Sequence, residues 1–372
     1  MQLIKVFNDN HNKLVKYCLY LAVFFLPIDI WFNSLFILIS FLITVLSKKQ
    51  RYSYSGNLFM YISFAWFLLF LISIPFVKDV SYLLKHIETN YLFVSIPIVL
   101  FSLISIRDED VFHYFCILYF ACVIYFIISL FNVIELAGIE VLFSKHTSTY
   151  LLHYHDIHHS YFGLFVAISS LSILKKSNVV SFLILFVINL LILIILRGKM
   201  SILIYLLGVV LINIKNFNNQ LKFIGLLFLL SIPAIFLLKE NLIILLNERI
   251  YIWENALDVI FSNFLFGVDP SRVQAILAEN AQNNEIVSDM SFNMNAHNQF
   301  LTSFLYFGIF GFVFISLFFL IPLYYSIKKR DSNLLVFLVL LFISFQTESF
   351  LLRQQGIVFS LFFLSLLISK NK

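Results

Sequence analysis

Long apolar runs recur along almost the whole of the 372-residue chain. A helix needs about 20 apolar residues to cross the hydrocarbon layer of a membrane. Hydrophobic residues make up 61% of the sequence and charged residues only 12%, which is too few to cover a water-facing surface. A membrane β-barrel would instead alternate apolar and polar residues within each strand. The sequence therefore predicts an all-α, polytopic integral membrane protein.

A hydropathy window predicts about twelve transmembrane helices within a single membrane domain, residues 1–372. The predicted spans are 15–32, 33–47, 58–76, 91–106, 112–134, 161–174, 179–196, 200–214, 221–238, 297–325, 333–349 and 355–369. The first span follows three lysines but precedes no small-residue cleavage site. We therefore expect a retained anchor rather than a removed signal peptide.

The charged residues between the spans predict the orientation of the chain. With a cytoplasmic N-terminus, 16 of the 25 basic residues lie on the cytoplasmic side, and 15 of the 20 acidic residues lie outside. The positive-inside rule then places both termini in the cytoplasm. One large outer loop, 239–296, is expected to carry short amphipathic helices, and a shorter outer loop covers 135–160. Because the net charge of +5 is spread over short membrane-flanking segments, it does not indicate nucleic-acid binding.

Two of the outer basic residues, Arg197 and Lys199, fall in a short turn between apolar runs. One interpretation is that both side chains anchor the turn in lipid headgroups. The other is an anion site, because guanidinium presents a planar fork of donors that suits phosphate. The Arg-Gly-Lys turn is not a P-loop, since the upstream glycine and the Ser or Thr after the lysine are missing.

The large outer loop contains the stretch NERIYIWENALDVIFSN, which has the period of an amphipathic helix. Arg249 and Trp253 are four residues apart and lie on the same face of that helix. A cation–π pair on an interfacial helix also explains this spacing. A turn is predicted at 267–270, and the polar residues 278–295 are expected to form a mobile flap rather than core.

Several short motifs occur in a fixed order from the Arg-Gly turn onward. They are Arg197-Gly198, Arg249 with Trp253, Gly267-Val268, Ala296-His297-Asn298-Gln299-Phe300-Leu301 and Gly308-Ile309-Phe310-Gly311. Together they resemble the O-antigen ligase and polymerase superfamily, most specifically over residues 197–311. Two further fragments fit, at 158–162 and 347–349. One position departs from the family pattern, because Asp269 stands where a second glycine is common, although Asp also tolerates turn conformations.

The resemblance implies an enzyme of the bacterial inner membrane whose active site faces the periplasm. Members of the family transfer sugar chains from a polyprenyl diphosphate to an acceptor, without metal or nucleotide cofactor. The expected partners are therefore an undecaprenyl diphosphate-linked glycan donor, a lipid A core or glycan acceptor, and membrane lipids. We expect no cofactor.

This chemistry requires cations that hold the leaving diphosphate and a group that accepts the proton of the acceptor hydroxyl. The predicted catalytic residues are Arg197, Arg249 and His297. The arginines are expected to hold the diphosphate, and His297 either takes the proton or only donates a hydrogen bond. The further predicted diphosphate ligands are Lys199, Arg272 and Arg353, and the predicted supporting residues are Glu348, Trp253 and Asn298. An alternative for Glu348 is a simple ion pair with Arg353 at the interface.

A histidine-rich stretch, YLLHYHDIHHSYF, precedes the apolar run at 161–174. His155, His158 and His159 have helical spacing and Asp156 lies near them, so a divalent ion is one interpretation. Such tracts also occur as polar interface segments. We favour a metal-free loop beside the acceptor cavity, with His158, His159 and Tyr161 on the acceptor side.

A flippase or transporter of lipid-linked sugars would also have about twelve spans. Its charged residues are expected near the bilayer midplane, within broken helices. Here the candidate functional residues gather on one side of the membrane, which favours an enzyme. Within that class we expect ligation of O-antigen to lipid A core, with polymerisation of O-antigen or capsule repeat units as the alternative.

Overall fold

The structure is a computed structural model, and it describes residues 2–47, 57–103, 106–143, 147–152, 157–213, 239–283 and 294–370. Within these ranges the chain forms helices and turns, and its one isolated bridge joins Ile106 to Lys370. The predicted all-α class is confirmed.

Fifteen α-helices occur in the described ranges. They are α1 (Gln2–Phe25), α2 (Ile30–Leu46), α3 (Asn57–Ser73), α4 (Val80–Asn90), α5 (Leu92–Ser102), α6 (Asp108–Ala137), α7 (Thr147–Leu152), α8 (His159–Leu174), α9 (Val179–Ile195), α10 (Lys199–Asn213), α11 (Lys239–Ser262), α12 (Val273–Asn283), α13 (Gln299–Lys329), α14 (Ser332–Phe345) and α15 (Gln354–Ser369). Short 3-10 helices lie at Ile74–Phe76, Ile139–Phe143 and Phe350–Leu352.

Three helical segments of the described chain are long and apolar enough to cross a membrane, namely Leu58–Phe76, Asp108–Ala137 and Gln299–Lys329. Six shorter apolar helices accompany them: α2, α8, α9, α10, α14 and α15. Twelve spans therefore remain a prediction, and the predicted span 221–238 lies outside the described residues.

Two boundaries differ from those that hydropathy predicts. The first two helices meet at residues 26–29 rather than at 32–33, because the Asp29 carboxylate accepts the backbone N–H groups of Trp31 and Phe32 and so begins α2. The segment predicted as a polar flap, 278–295, starts as packed helix, since α12 continues to Asn283 and buries Ala278 and Ala281. Residues 284–293 of that segment lie outside the described part of the chain.

Helix α13 is broken within its first third. Phe307 (φ −132°, ψ 16°) and Gly308 (φ 58°, ψ −144°) leave the helical conformation, and only glycine adopts the latter without strain. Backbone groups freed by the break bond to the segment after α11: Val268 N–H donates to the Leu305 carbonyl at 2.8 Å, and Ile309 N–H donates to the Phe264 carbonyl at 2.9 Å. The break thus fixes the position of the segment after α11 against α13.

The ends of the central helices define the two ends of the molecule. At one end α8, α13 and α15 begin and α14 ends, near His159, Gln299, Gln354 and Phe345. At the other end α8, α13 and α15 finish and α14 begins. Apolar side chains such as Phe165, Phe318 and Phe359 fill the space between these ends.

Candidate functional site

A cavity of 700 Å³ lies at the end where α8, α13 and α15 begin, and we name it the His297 cavity. Its walls come from α4, the start of α8, the turn before α12, the start of α13 and the turn between α14 and α15. The lining residues are Ile30, Tyr82, Lys85, His86, Thr89, His158, Tyr161, Pro270, Ser271, Gln274, Asn295, His297, Tyr306, Glu348, Ser349, Leu352, Arg353, Gln354 and Gln355.

His297 and Glu348 form the central pair of this cavity. The Nδ1 atom of His297 lies 3.3 Å from Oε1 of Glu348, and the Glu348 residue is only 8% exposed. Burial favours the protonated carboxyl, but the hydrogen bonds from His297 and from the Ser349 N–H lower the pKa of Glu348. Glu348 is therefore a carboxylate at neutral pH, and it orients the imidazole of His297.

The backbone at His297 is held in the left-handed region, with φ of 45°. Among the described residues, two other non-glycine residues share such a positive φ, Arg197 and Arg330. This conformation costs roughly 1–2 kcal/mol for an L-residue, so neighbouring contacts must maintain it. The next residue supplies one of them, because the Asn298 side chain caps α13 by accepting the N–H groups of Phe300 and Leu301.

Side-chain hydrogen bonds join the start of α13 to the turn after α14. The Asn298 amide donates to Oε1 of Gln346 at 3.1 Å, and Leu351 N–H donates to Oε1 of Gln299 at 2.7 Å. Ser349 Oγ lies 3.1 Å from Oδ1 of Asn295, an oxygen that also accepts the His297 N–H. The two segments that carry His297 and Glu348 are consequently fixed relative to each other.

Two of the predicted site residues, Tyr161 and Trp253, donate hydrogen bonds to the backbone of the segments that carry Glu348 and His297. Tyr161 is 2% exposed, and its hydroxyl donates to the Ser349 carbonyl at 3.1 Å. Trp253 donates its Nε1–H to the Ala296 carbonyl at 3.1 Å, directly before His297. Both contacts support the His297–Glu348 pair, and Tyr161 also lines the cavity.

The two described histidines of the His-rich stretch lie at the start of α8. His158 lines the cavity, and its Nδ1 accepts the Ser160 N–H at 3.4 Å as the cap of that helix. Burial, and after it the neighbouring His159, lower the pKa of His158 to about 4, so this imidazole is neutral at pH 7. Across the residues that the structure covers, no three His, Cys, Asp and Glu side chains are grouped to hold a metal ion, while His155 and Asp156 lie outside them.

The predicted diphosphate ligands do not all lie at this cavity. Arg353 lines it, beside Glu348. Arg272 lies next to the lining residue Ser271, but its guanidinium lies 3.5 Å from the Glu279 carboxylate on the surface. Arg249 is half-buried one helical turn before Trp253, and it does not line the cavity.

Arg197 and Lys199 are likewise absent from the cavity lining. Their turn precedes α10, whose Ser201 hydroxyl donates to the Ser160 carbonyl at 3.5 Å. The turn therefore lies beside the start of α8, the helix end at which His158 and His159 stand. Convergence of Arg197 and Arg249 with His297 is not seen in the cavity walls, and their role in diphosphate binding stays a prediction.

Helix α4 contributes a side of the cavity that the motifs did not indicate. Lys85 and His86 both line it, and the Tyr82 hydroxyl lies 2.9 Å from that of Tyr306 on α13. Burial, and after it the charge of Lys85, lower the pKa of His86 to about 4. Lys85 was visible in the sequence only as one of nine basic residues on the predicted outer side.

The glycine motifs of the family resemblance contact each other. A Cβ atom added at Gly308 would lie 2.3 Å from the Leu265 carbonyl oxygen, and one added at Gly267 would lie 2.5 Å from that of Leu305. The Asp269 carboxylate, at the position where a glycine is common, accepts N–H groups from Ser271 and Lys78. The turn thus forms with Asp269, which ties it to the segment before α4.

Comparison with known protein families gives one match. A model of the O-antigen ligase family matches residues 160–316. That range contains the Arg-Gly turn, the Arg249 helix, the contacting glycines and His297, whereas Glu348 and Arg353 lie beyond it. No curated protein matches the chain. The match covers less than half of the chain but contains the motifs that carry the resemblance, and over residues 160–316 the chain is similar to the O-antigen ligase family.

Proposed function

We propose that this protein transfers an oligo- or polysaccharide from an undecaprenyl diphosphate carrier to an acceptor hydroxyl at the periplasmic face of the inner membrane. The family implies a glycosyltransferase-like enzyme that uses a lipid-linked glycan and an acceptor. The observation that carries the proposal is the cavity in which the His297–Glu348 pair lies with Arg353 and Lys85. A base and two cations in one cavity are the groups that this transfer needs.

We assign a proton path to the pair as part of this proposal. In the proposed mechanism the Glu348 carboxylate accepts the Nδ1–H of His297, so that Nε2 of the imidazole carries no proton and acts as the base; the 3.3 Å distance between Nδ1 and Glu348 Oε1 supports this role. In the proposed step the acceptor oxygen attacks the anomeric carbon of the donor sugar while its proton passes to Nε2. The bond between that carbon and the diphosphate oxygen breaks, and the diphosphate leaves with the bonding electrons.

The cations stabilise the leaving group. Arg353 presents a planar fork of donors to a diphosphate oxygen pair, and Lys85 adds a second positive charge from α4. Charge grows on the diphosphate as the glycosidic bond breaks, so these cations lower the barrier more than they tighten ground-state binding. No resident metal is needed for either role.

Among acceptors, we propose lipid A core, which makes the reaction O-antigen ligation, and the second candidate is polymerisation of O-antigen or capsule repeat units. The surface polysaccharide of a deletion strain distinguishes them. Carrier-linked polymer beside undecorated lipid A core supports the ligase, whereas a core that bears a single repeat supports the polymerase. If lipid-linked glycan no longer reaches the outer leaflet in the deletion strain, the protein is instead a flippase, and both the ligase and the polymerase proposals are contradicted.

A further inference from the structure

A second cavity, of 490 Å³, lies at the opposite end of the same helices, and we name it the Lys370 cavity. Five basic residues line it: Lys175, Lys176, Lys329, Arg330 and Lys370. They stand where α8, α13 and α15 end and where α6 and α14 begin. The described site for glycan transfer uses none of them.

The lining carries an excess of positive charge. It contains two carboxylates, Asp108 and Asp331, against the five basic side chains, which leaves a formal charge of +3. Both carboxylates contact Lys370, whose Nζ lies 2.6 Å from Asp108 and 3.0 Å from Asp331. Lys329 donates to the carbonyl oxygens of Ile368 and Lys370. The side chains of Lys175, Lys176 and Arg330 are exposed at the mouth of the cavity, where Lys175 donates to Asn333 at 2.6 Å and Lys176 lies 3.6 Å from the centroid of the Phe112 ring.

The other part of the lining is apolar. It includes Phe115, Ile168, Leu171, Leu340 and Leu367 from four different helices. Phe115 lies seven residues into α6 from Asp108, which is roughly 10 Å along the helix axis. The cavity therefore continues from a cationic mouth to an apolar wall among the helices.

The two cavities are separated by about the length of α8. That helix has 16 residues, which corresponds to roughly 24 Å, and His158 and Lys175 flank its two ends. A separation of this size approaches the hydrocarbon thickness of a membrane. The cationic mouth accordingly lies near the membrane interface opposite to the His297 cavity.

We propose that the Lys370 cavity binds an anionic phospholipid, with the headgroup phosphate between Lys175, Lys176 and Arg330 and an acyl chain against the apolar wall. Basic pockets between membrane helices are suited to such headgroups, and guanidinium and ammonium groups both bond phosphate oxygens. A soluble phosphate or diphosphate shares the headgroup chemistry. A soluble anion would leave the apolar wall without a ligand, so the presence of that wall favours a lipid.

The test uses the purified full chain and native mass spectrometry with phosphatidylglycerol or phosphatidylcholine. The double variant Lys176→Gln, Arg330→Gln removes two cations of the mouth. The double variant Arg107→Gln, Lys328→Gln removes two exposed cations at the same end that do not line the cavity. We expect the first to lose phosphatidylglycerol affinity about tenfold or more, and the control to stay within about twofold of the parent protein. The proposal would be overturned if both double variants kept the phosphatidylglycerol affinity of the parent protein. It would also be overturned if the parent protein bound phosphatidylcholine as tightly as phosphatidylglycerol.

A third variant separates a lipid from a soluble anion. Val336 lines the cavity and is half-buried, so Val336→Trp fills part of the apolar region without changing the charge. We expect this variant to weaken phosphatidylglycerol binding and to leave inorganic diphosphate binding unchanged. If lipid affinity stays at the parent level in Val336→Trp protein that melts as the parent does, the occupant is not a lipid. Since lipid binding is the readout, the outcome is independent of glycan transfer.

Discussion

His297 Nδ1 lies 3.3 Å from Glu348 Oε1 across 51 residues of sequence. Each partner stands in a different turn, and the two turns are joined by the Asn298–Gln346 and Ser349–Asn295 hydrogen bonds. A buried carboxylate that orients an imidazole is the arrangement by which enzymes select the tautomer with a basic outer nitrogen. The pair therefore behaves as one unit if the proposed proton path is right.

For that reason we expect Glu348→Gln to slow glycan transfer about tenfold and His297→Ala to slow it about a hundredfold or more. The double variant should be no slower than His297→Ala alone, because Glu348 acts only through the imidazole. Initial rates in proteoliposomes with a carrier-linked donor measure this. Glu279→Gln, which changes an exposed carboxylate outside the cavity, is the matched control. Additive losses of rate in the double variant would show that Glu348 does not act through His297.

The cations of the site give a second prediction. Arg353→Gln should lower kcat/KM about tenfold or more, because a charge-assisted hydrogen bond contributes about 1.5–3 kcal/mol. Arg353→Lys should recover part of the loss, as it keeps the charge but not the planar fork. Arg272→Gln should stay within about twofold, since the Arg272 guanidinium pairs with Glu279 outside the cavity. A larger loss for Arg272→Gln than for Arg353→Gln would contradict the assignment of Arg353 as the diphosphate ligand of this cavity.

The sequence indicates His297 and Glu348 as candidate site residues, because each is a polar residue at the edge of an apolar run. It did not pair them, since periodicity and motif order contain no information about contacts between residues 51 positions apart. Asn298 was predicted as a supporting residue without a mechanism. The structure gives it one, the cap of α13 and the bond to Gln346.

The cations that line the cavity differ from most of those that the sequence indicates. Arg197, Arg249 and Arg272 were selected because they lie near family motifs, but motif position does not determine where a long side chain ends. Lys85 lacks any motif and comes to the cavity because α4 is joined to α13 through Tyr82 and Tyr306. The position of such a side chain depends on how the helices pack together, and a local sequence pattern does not predict that packing.

A pH dependence follows from the buried histidines. The pKa values of His158 and His86 are both lowered to about 4, chiefly by burial. Between about pH 4 and the ordinary histidine pKa of about 6.5, the unfolded chain binds more protons than the folded chain at these sites. Stability should therefore rise with pH in that window and be lost on acidification.

Thermal melts of the detergent-solubilised protein at several pH values test this dependence. We expect the variant His158→Gln, His86→Gln to have a flatter Tm profile between pH 4.5 and 6.5, even where its Tm is lower throughout, as His158 also caps α8. His113→Gln, at an exposed position outside the cavity, should keep the parent slope. Parallel profiles for the parent and double variants would assign the acid sensitivity to other groups.

The contact between the glycine motifs predicts a difference between two substitutions of the same kind. Gly308 and Gly138 both have positive φ, at 58° and 76°, so alanine is strained at either position. A Cβ atom at Gly138 meets nothing within 4 Å, whereas at Gly308 it lies 2.3 Å from a backbone oxygen that cannot move aside cheaply. Gly138→Ala should thus cost about 1 kcal/mol and Gly308→Ala at least about 3 kcal/mol, because the second change also separates α13 from the segment after α11. Urea unfolding of both purified variants measures the difference, and equal midpoints would show that the Gly308 contact does not hold the outer loop in place.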